Sequence, residues 1–281
     1  MRLAVTSDIH VDLNGPSILD ALCARVRDVD PDVLIVAGDI ATGAVTYLRT
    51  LLALKAVAPE VVVVAGNHDV WTAPEALAKG VDSWARLDRI LPALCLEAGV
   101  HDLDAGPVIL GGIGFAGTLG WYDLSTRDHA LDVSPDAYRT GVFGGLRWTD
   151  HEYAVFQHDE RRMGMEEVTS LLRARLATHL ASLDVPRIVA VTHTLPFAAQ
   201  LHQKTHPGWR FVNAFLGSLP LGQLIAADPR VTLAVAGHTH LGSDLQLGGL
   251  RALVSPLGYK KEWGGRSTEE AVSRALVTVD L

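Results

Sequence analysis

Short, wholly apolar runs recur along the first hundred residues, and each is followed by a stretch with helical spacing. Leu3-Ala4-Val5-Thr6, Val33 to Ala37 and Val61 to Ala65 are the runs. Between the first two, Ser17 to Val29 places Ile18, Leu22 and Val26 on one helical face, with Pro16 or Ser17 at its start. Val45 to Val57 and Pro74 to Leu96 read as further helices, the second with Pro74 in its first turn. A strand that is apolar on both faces needs cover on both faces. Such strands alternating with helices therefore predict a parallel sheet buried between helical layers.

The second part uses the same vocabulary in looser order. Val108 to Phe115 predicts one or two strands, and Ile188 to Thr192 and Thr232 to Ala236 two more. Ser243 to Leu247, Ala252 to Val254 and Leu276 to Val279 read as late sheet strands. Glu166 to Ser182 is the clearest helix here, with Val168, Leu171, Leu172, Leu176 and Leu180 at helical spacing. Gly117 to Met165 and Thr194 to Gly217 fit no regular element. Irregular segments this long in a compact domain are usually functional, so both are expected to wall a site. With no repeat, low-complexity tract or linker, residues 1–281 are expected to form one domain.

Composition changes this picture little. Of 281 residues, 48% are apolar and 20% charged, as in an ordinary soluble enzyme. The net charge is -8, without the basic stripe of a nucleic-acid binder, so no stable nucleic-acid partner is expected. Cys23 and Cys95 lie among apolar residues and are expected to be buried, reduced thiols. The first strand-like run begins at Leu3, leaving no room for a signal peptide, and no apolar run approaches the ~20 residues that span a bilayer. A cytoplasmic protein without membrane insertion is the expectation.

The chemistry sits where the apolar runs stop. The first run leads to Asp8-Ile9-His10, the second to Gly38-Asp39, the third to Gly66-Asn67-His68-Asp69. The run at Ile188 leads to His193, and that at Thr232 to Gly237-His238-Thr239-His240. Open α/β sheets bind ligands beyond the carboxyl ends of their strands, so these loops should converge. Alternate residues of an extended segment share a side, which would aim Asp8 with His10 and His238 with His240. Imidazole and carboxylate or amide oxygen without thiolate suit Mn, Fe or Zn.

In that order the motifs resemble the calcineurin-like metallophosphoesterase superfamily, and the likeness runs from residue 8 to residue 240. The resemblance implies an α/β fold of two mixed β-sheets packed as a sandwich flanked by helices, with a dinuclear metal centre at one edge. It implies one divalent ion on Asp8, His10 and His240, a second on Asn67, His193 and His238, and Asp39 as the bridge. His68 is then the catalytic candidate for the leaving group, with Asp69 holding its ring and stabilising its protonated form. A hydroxide shared by the two ions would attack a phosphate ester.

The motif spacing resembles small bacterial phosphodiesterases, so a diester of a small molecule or nucleotide is the expected substrate. A phosphomonoesterase, and more remotely a catalytically silent scaffold, are the alternatives. Protein Ser/Thr phosphatases of the superfamily usually carry an Arg shortly after Gly-Asp, and Gly38-Asp39-Ile40-Ala41-Thr42-Gly43 has none. Oligomeric state is not legible.

Other residues have competing readings. Trp121 and Tyr122 either stack on a base or sugar or pack their loop onto the core. Arg127, Arg139 and Arg147 are phosphate candidates set against a favoured reading of solvated charge. His202 and His206 read as structural or solvated, His101, His129, His151, His158 and His179 as ordinary. Trp209, Phe215 and Asn213 are expected to anchor the second loop. Shortening 117–165 is expected to change substrate preference and leave the metals in place.

Overall fold

A computed structural model describes all residues 1–281. Its strands are Arg2–Thr6 (β1), Val33–Ala37 (β2), Glu60–Val64 (β3), His101–Asp102 (β4), Val108–Leu110 (β5) and Ile113–Thr118 (β6). The short strands Val142–Phe143 (β7), Leu146–Arg147 (β8), Gln157–His158 (β9) and Arg161–Arg162 (β10) form two small hairpins. Ile188–Thr192 (β11), Val231–Ala236 (β12), Ser243–Leu247 (β13), Leu250–Val254 (β14) and Val277–Asp280 (β15) complete the set.

The main strands form two mixed sheets, ordered β15-β1-β2-β3-β4 and β13-β14-β12-β11-β6-β5. In the first, β1 to β4 are parallel and β15 runs against β1. In the second, β6, β11, β12 and β14 are parallel, with β5 and β13 antiparallel at the edges.

The two-residue period of a strand decides which residue meets which layer. Leu3, Val5, Val33, Ile35, Val62 and Val64 turn inward and meet Phe115, Val189, Val191, Leu233 and Val235 of the other sheet. Their neighbours Ala4, Leu34, Val36, Val61 and Val63 turn outward under the helices Ser17–Val29, Ala44–Lys55 and Leu91–Ala98. On the far side Ala116, Ile188, Ala190 and Ala234 pack against Leu176 and Leu180 of Met165–Ser182 and Leu221 and Ile225 of Leu219–Ala227. The order is helices, sheet, sheet, helices. Cys23 and Cys95 are buried and free. No helix is long and apolar enough to cross a membrane.

Three readings of the pattern need correction, the first being Thr194 to Gly217, which is not without regular structure but carries the helix Pro207–Val212 between two short 3-10 turns, Ala198–Gln200 and Asn213–Phe215. Pro74 to Leu96 is not one long helix. Pro74–Leu77 ends in a turn that closes at Gly80, whose φ is +76°, and Asp82 starts a new helix by accepting from the Ala85 amide at 2.8 Å. Gly117 to Met165 is not structureless. It carries the helices Pro135–Thr140 and Asp150–Tyr153 and both small hairpins. The β7–β8 turn is Gly144-Gly145 with φ of +56° and +84°, the backbone that tight hairpins require.

Candidate metal centre

The ends of β1, β2, β3, β11 and β12 meet at one edge of the sandwich. Asp8, His10, Asp39, His238 and His240 have φ of +55°, +45°, +55°, +71° and +52°. They are five of the nine non-glycine residues with positive φ in the chain. Asp8 with His10 and His238 with His240 thus reach the site by left-handed turns, not by strand alternation. Such conformations cost of order 1–3 kcal/mol each and persist where surroundings enforce them. Here the Asp8 amide donates to Gly38 O (3.0 Å), the His10 amide to Asp39 O (3.0 Å) and the His238 amide to Asp8 Oδ1 (2.9 Å). A Cβ on Gly237 would lie 2.7 Å from Ala37 O and 2.9 Å from Asp8 Oδ2, so the close approach of these loops requires glycine.

Two groups of ligand atoms result. In the first, one ligand atom each of Asp8, His10, Asp39 and His240 lies within 4.8 Å of the others. His10 Nε2 is 3.1 Å from His240 Nε2 and 3.4 Å from Asp39 Oδ2, and His240 Nε2 is 3.4 Å from Asp8 Oδ1. In the second, Asn67 Oδ1 lies 2.9 Å from His193 Nε2 and 3.0 Å from His238 Nδ1. The other oxygen of Asp39, Oδ1, faces His193 Nε2 at 3.5 Å. Asp39 thus presents one oxygen to each group.

Proton bookkeeping on the imidazoles tests whether cations fit. His193 Nδ1 is 2.8 Å from Ala37 O, His238 Nε2 is 3.0 Å from Phe215 O, and His240 Nδ1 is 2.7 Å from Glu262 Oε2. Those oxygens only accept, so these nitrogens carry the protons and the opposite nitrogens carry lone pairs. The lone pairs of His193 Nε2 and His238 Nδ1 then both aim at Asn67 Oδ1, itself an acceptor. Protonating the rings instead is disfavoured: burial lowers His193, and burial followed by the neighbouring His193 lowers His238 to about 4. Burial also opposes charge on His240, but Asp8 and Glu262 outweigh it and raise this ring to about 10. The second group is acceptor-rich without positive charge, while in the first the carboxylates draw a proton onto His240 in the place a cation would take; the residues present fit a divalent ion in each.

A profile of the calcineurin-like phosphoesterase family matches residues 1–242. The chain belongs to the calcineurin-like phosphoesterase family. That family is one of phosphoesterases that depend on dinuclear metal centres. A curated relative, a transmembrane protein with metallophosphoesterase domain from Danio rerio, is 31% identical over 122 residues, 37% of this chain and only 28% of that protein. The crystal structure of phosphopantetheinyl hydrolase from Mycobacterium tuberculosis superposes with a TM-score of 0.77 at 21% identity, covering 99% of this chain and 95% of that one. A dimetal phosphatase from Danio rerio covers 99% of this chain and 91% of its own at 16% identity and a TM-score of 0.48.

Around the phosphoesterase ligand atoms, His68 is held differently from the expectation. Its ring stacks on Trp71 at a centroid distance of 3.7 Å, and its Nε2 lies 3.2 Å from the Tyr259 hydroxyl. Asp69 does not hold it. The Asp69 carboxylate is taken up by the amides of Ile40 (2.9 Å), Ala41 (2.9 Å) and Gly66 (2.7 Å), tying the loops after β2 and β3 together. Burial, then His10 and the other site histidines, lower His68 to about 2, so the ring is neutral rather than protonated.

Several residues lie elsewhere. Trp121 and Tyr122 are buried and stacked on each other, in the core and not in a substrate pocket. Arg139 pairs with Asp136 and Arg147 with Glu152, both pairs exposed. His206 accepts from the Gly208 amide at the start of Pro207–Val212. His202 Nε2 lies 3.1 Å from the Thr239 hydroxyl, between two candidate ligands. Asn213 bonds the His202 backbone and Phe215 is buried, as anchors should be, while Trp209 is partly exposed. Sequence reasoning missed Asp150, Tyr259 and Glu262. The last two follow β14, a strand end without a metal-type motif. Its apolar run was readable, so the convergence rule that found the other five could have pointed there.

Proposed function

We propose that this phosphoesterase is a phosphodiesterase acting on a small-molecule or nucleotide ester. In this reading Asp8, His10 and His240 would hold one divalent ion, Mn, Fe or Zn, Asn67, His193 and His238 another, and Asp39 would serve both. When bound, the pair supplies Lewis-acid polarisation of the phosphate and activation of water. The chain's own groups do the rest. Asp8 and Asp39 offset part of the cationic charge, and Asn67, a neutral ligand, leaves the centre positive enough to attract a phosphate. His68, neutral and fixed between Trp71 and Tyr259, is placed to donate an N–H hydrogen bond to the departing oxygen.

The observation that favours a diester is the aromatic wall beside His10, whose Tyr259 ring has the Lys261 ammonium 5.3 Å from its centroid. His68, Trp71 and Tyr259 form it, with the Tyr259 ring 4.7 Å from that of His10. The ion pairs of Asp8 and Asp39 are all with histidine. A monoester is largely a dianion near neutral pH and gains from a further guanidinium or ammonium. A diester is a monoanion whose second alcohol gains from an aromatic surface instead. In this reading the segment 117–165 would extend the wall through Trp148, whose ring centroid is 5.8 Å from that of His238.

The test is hydrolysis of bis-p-nitrophenyl phosphate and p-nitrophenyl phosphate side by side after reconstitution with Mn. The diester should turn over faster. A phosphopantetheinyl ester belongs in the panel that follows, given the likeness in fold to a hydrolase of that group. Preference for the monoester overturns the reading in favour of a phosphatase. Two ions bound with no turnover of any ester points to the scaffold.

A further inference from the structure

We infer that Asp150, contributed by the segment between β6 and the helix Met165–Ser182, is the positioning residue that makes Asn67 a metal ligand. The inference rests on the reading that Asn67, His193 and His238 share a cation. A carboxamide is nearly symmetric in shape, and only its oxygen end has a lone pair for a cation. Turned over, Asn67 would present its NH2 to the ion and contribute nothing. What chooses the end is the partner on the other side. Asn67 Nδ2 donates to Asp150 Oδ1 at 2.8 Å. An ionised carboxylate is acceptor-only, so it takes only the NH2 end and leaves Oδ1 facing His193 and His238.

Asp150 is buried and is itself held by donors alone. Trp71 Nε1 donates to the same Oδ1 at 2.6 Å, and the Tyr122 hydroxyl to Oδ2 at 3.3 Å. Trp148 Nε1 lies 3.2 Å from the Tyr122 oxygen and can only donate to it, which sends the Tyr122 proton toward Asp150. No cationic side chain pairs with this carboxylate; its polar partners are these donors. The indole that carries His68 is fastened to the same oxygen, so one carboxylate sets both the second ligand group and the wall beside it.

The consequence contradicts the expectation that 117–165 is dispensable for metal binding. Mn²⁺ is titrated into metal-free protein by calorimetry, with metal content checked after gel filtration. Asp150→Ala should leave the first ion unchanged and weaken the second by about 10–100-fold. Asp150→Asn should keep both, because Trp71 can only donate and so holds the oxygen of the introduced amide toward Asn67. Trp71→Phe alone should also keep both. The double variant Asp150→Asn/Trp71→Phe frees the introduced amide to turn its oxygen to the Tyr122 hydroxyl and its NH2 to Asn67. Asn67 then flips, and the second ion should be lost at least tenfold although each single change is neutral. Should Asp150→Ala not fold, this near-isosteric set decides. Wild-type affinity for the second ion in the folded Ala variant or the double variant overturns the inference, as does equal weakening of both ions. A wild-type chain that takes up fewer than two ions instead overturns the two-ion reading beneath it.

Discussion

The two halves of the candidate centre are oriented by different means. The group of Asp8, His10, Asp39 and His240 contains two carboxylates and draws its order from strained strand-end turns, helped by Glu262 on His240. The group of Asn67, His193 and His238 has no carboxylate of its own and shares only Asp39. Its imidazoles lean on the carbonyls of Ala37 and Phe215, and its amide on Asp150. A cation in the first group would be held mainly by carboxylates, in the place of the proton that His240 carries without it. A cation in the second is held by neutral dipoles and must have them facing the right way. The comparison therefore predicts stepwise loading, the first group tighter than the second.

The strongest blow to this comparison is to remove what the halves share. Asp39→Ala deletes one oxygen from each group, so both ions should weaken and turnover should fall by about a thousandfold or more, since the metal pair supplies several kcal/mol of transition-state stabilisation. Titrating metal into the variant checks it. Loss from one group alone would show that Asp39 belongs to that group and does not bridge.

His68→Ala tests the reverse case, chemistry without metal loss. The ring is stacked on Trp71 and bonded to Tyr259, and it contacts neither group through a lone pair engaged in the clusters. Both ions should remain, and kcat should drop by about 100–1,000-fold, the typical effect of removing one preorganised donor. Metal loss in step with activity would make His68 a ligand instead.

Asp69 separates fold from function. Its carboxylate satisfies three buried amides, so Asp69→Ala should lower stability by about 3 kcal/mol in urea unfolding of the metal-free chain, as expected when buried donors lose their acceptor. Unchanged stability with lost turnover would restore the role the sequence suggested for it, holding His68.

What was legible in the chain follows its physics. Val33 to Ala37, Ile188 to Thr192 and Ser17 to Val29 appear with the boundaries their periodicity implies, because burial on both faces or on one helical stripe dictates composition. The loops after β1, β2, β3, β11 and β12 were recognisable because strand ends of a parallel sheet must share an edge. Left-handed φ at Asp8, His10, Asp39, His238 and His240 was not legible, since Asp and His adopt it only where the surroundings impose it. Asp150 was hidden for another reason. It lies 83 residues from Asn67 in a segment of two-residue strands and single-turn helices, where periodicity has no room to speak. Side chains that orient ligands carry no spacing rule; they are set by the fold that brings them near.

The smallest expected effect is on the half that charge already holds. Glu262 fixes the His240 ring through Nδ1 at 2.7 Å, the counterpart of Asp150 on Asn67, but it sits at the surface with 40% of its side chain exposed. Water can replace its hydrogen bond, and Asp8 and Asp39 continue to bind charge without it. Glu262→Ala should therefore weaken the first ion by only about tenfold, the low end for residues that orient ligands, and leave the second within a few fold. Calorimetric titration of Mn²⁺ beside Asp150→Ala puts the two orienting residues on one scale. An effect of Glu262→Ala on the first ion larger than that of Asp150→Ala on the second would mean that strained backbone and carboxylates do not suffice to order the first group. The contrast between a half held by charge and a half held by orientation would then fail.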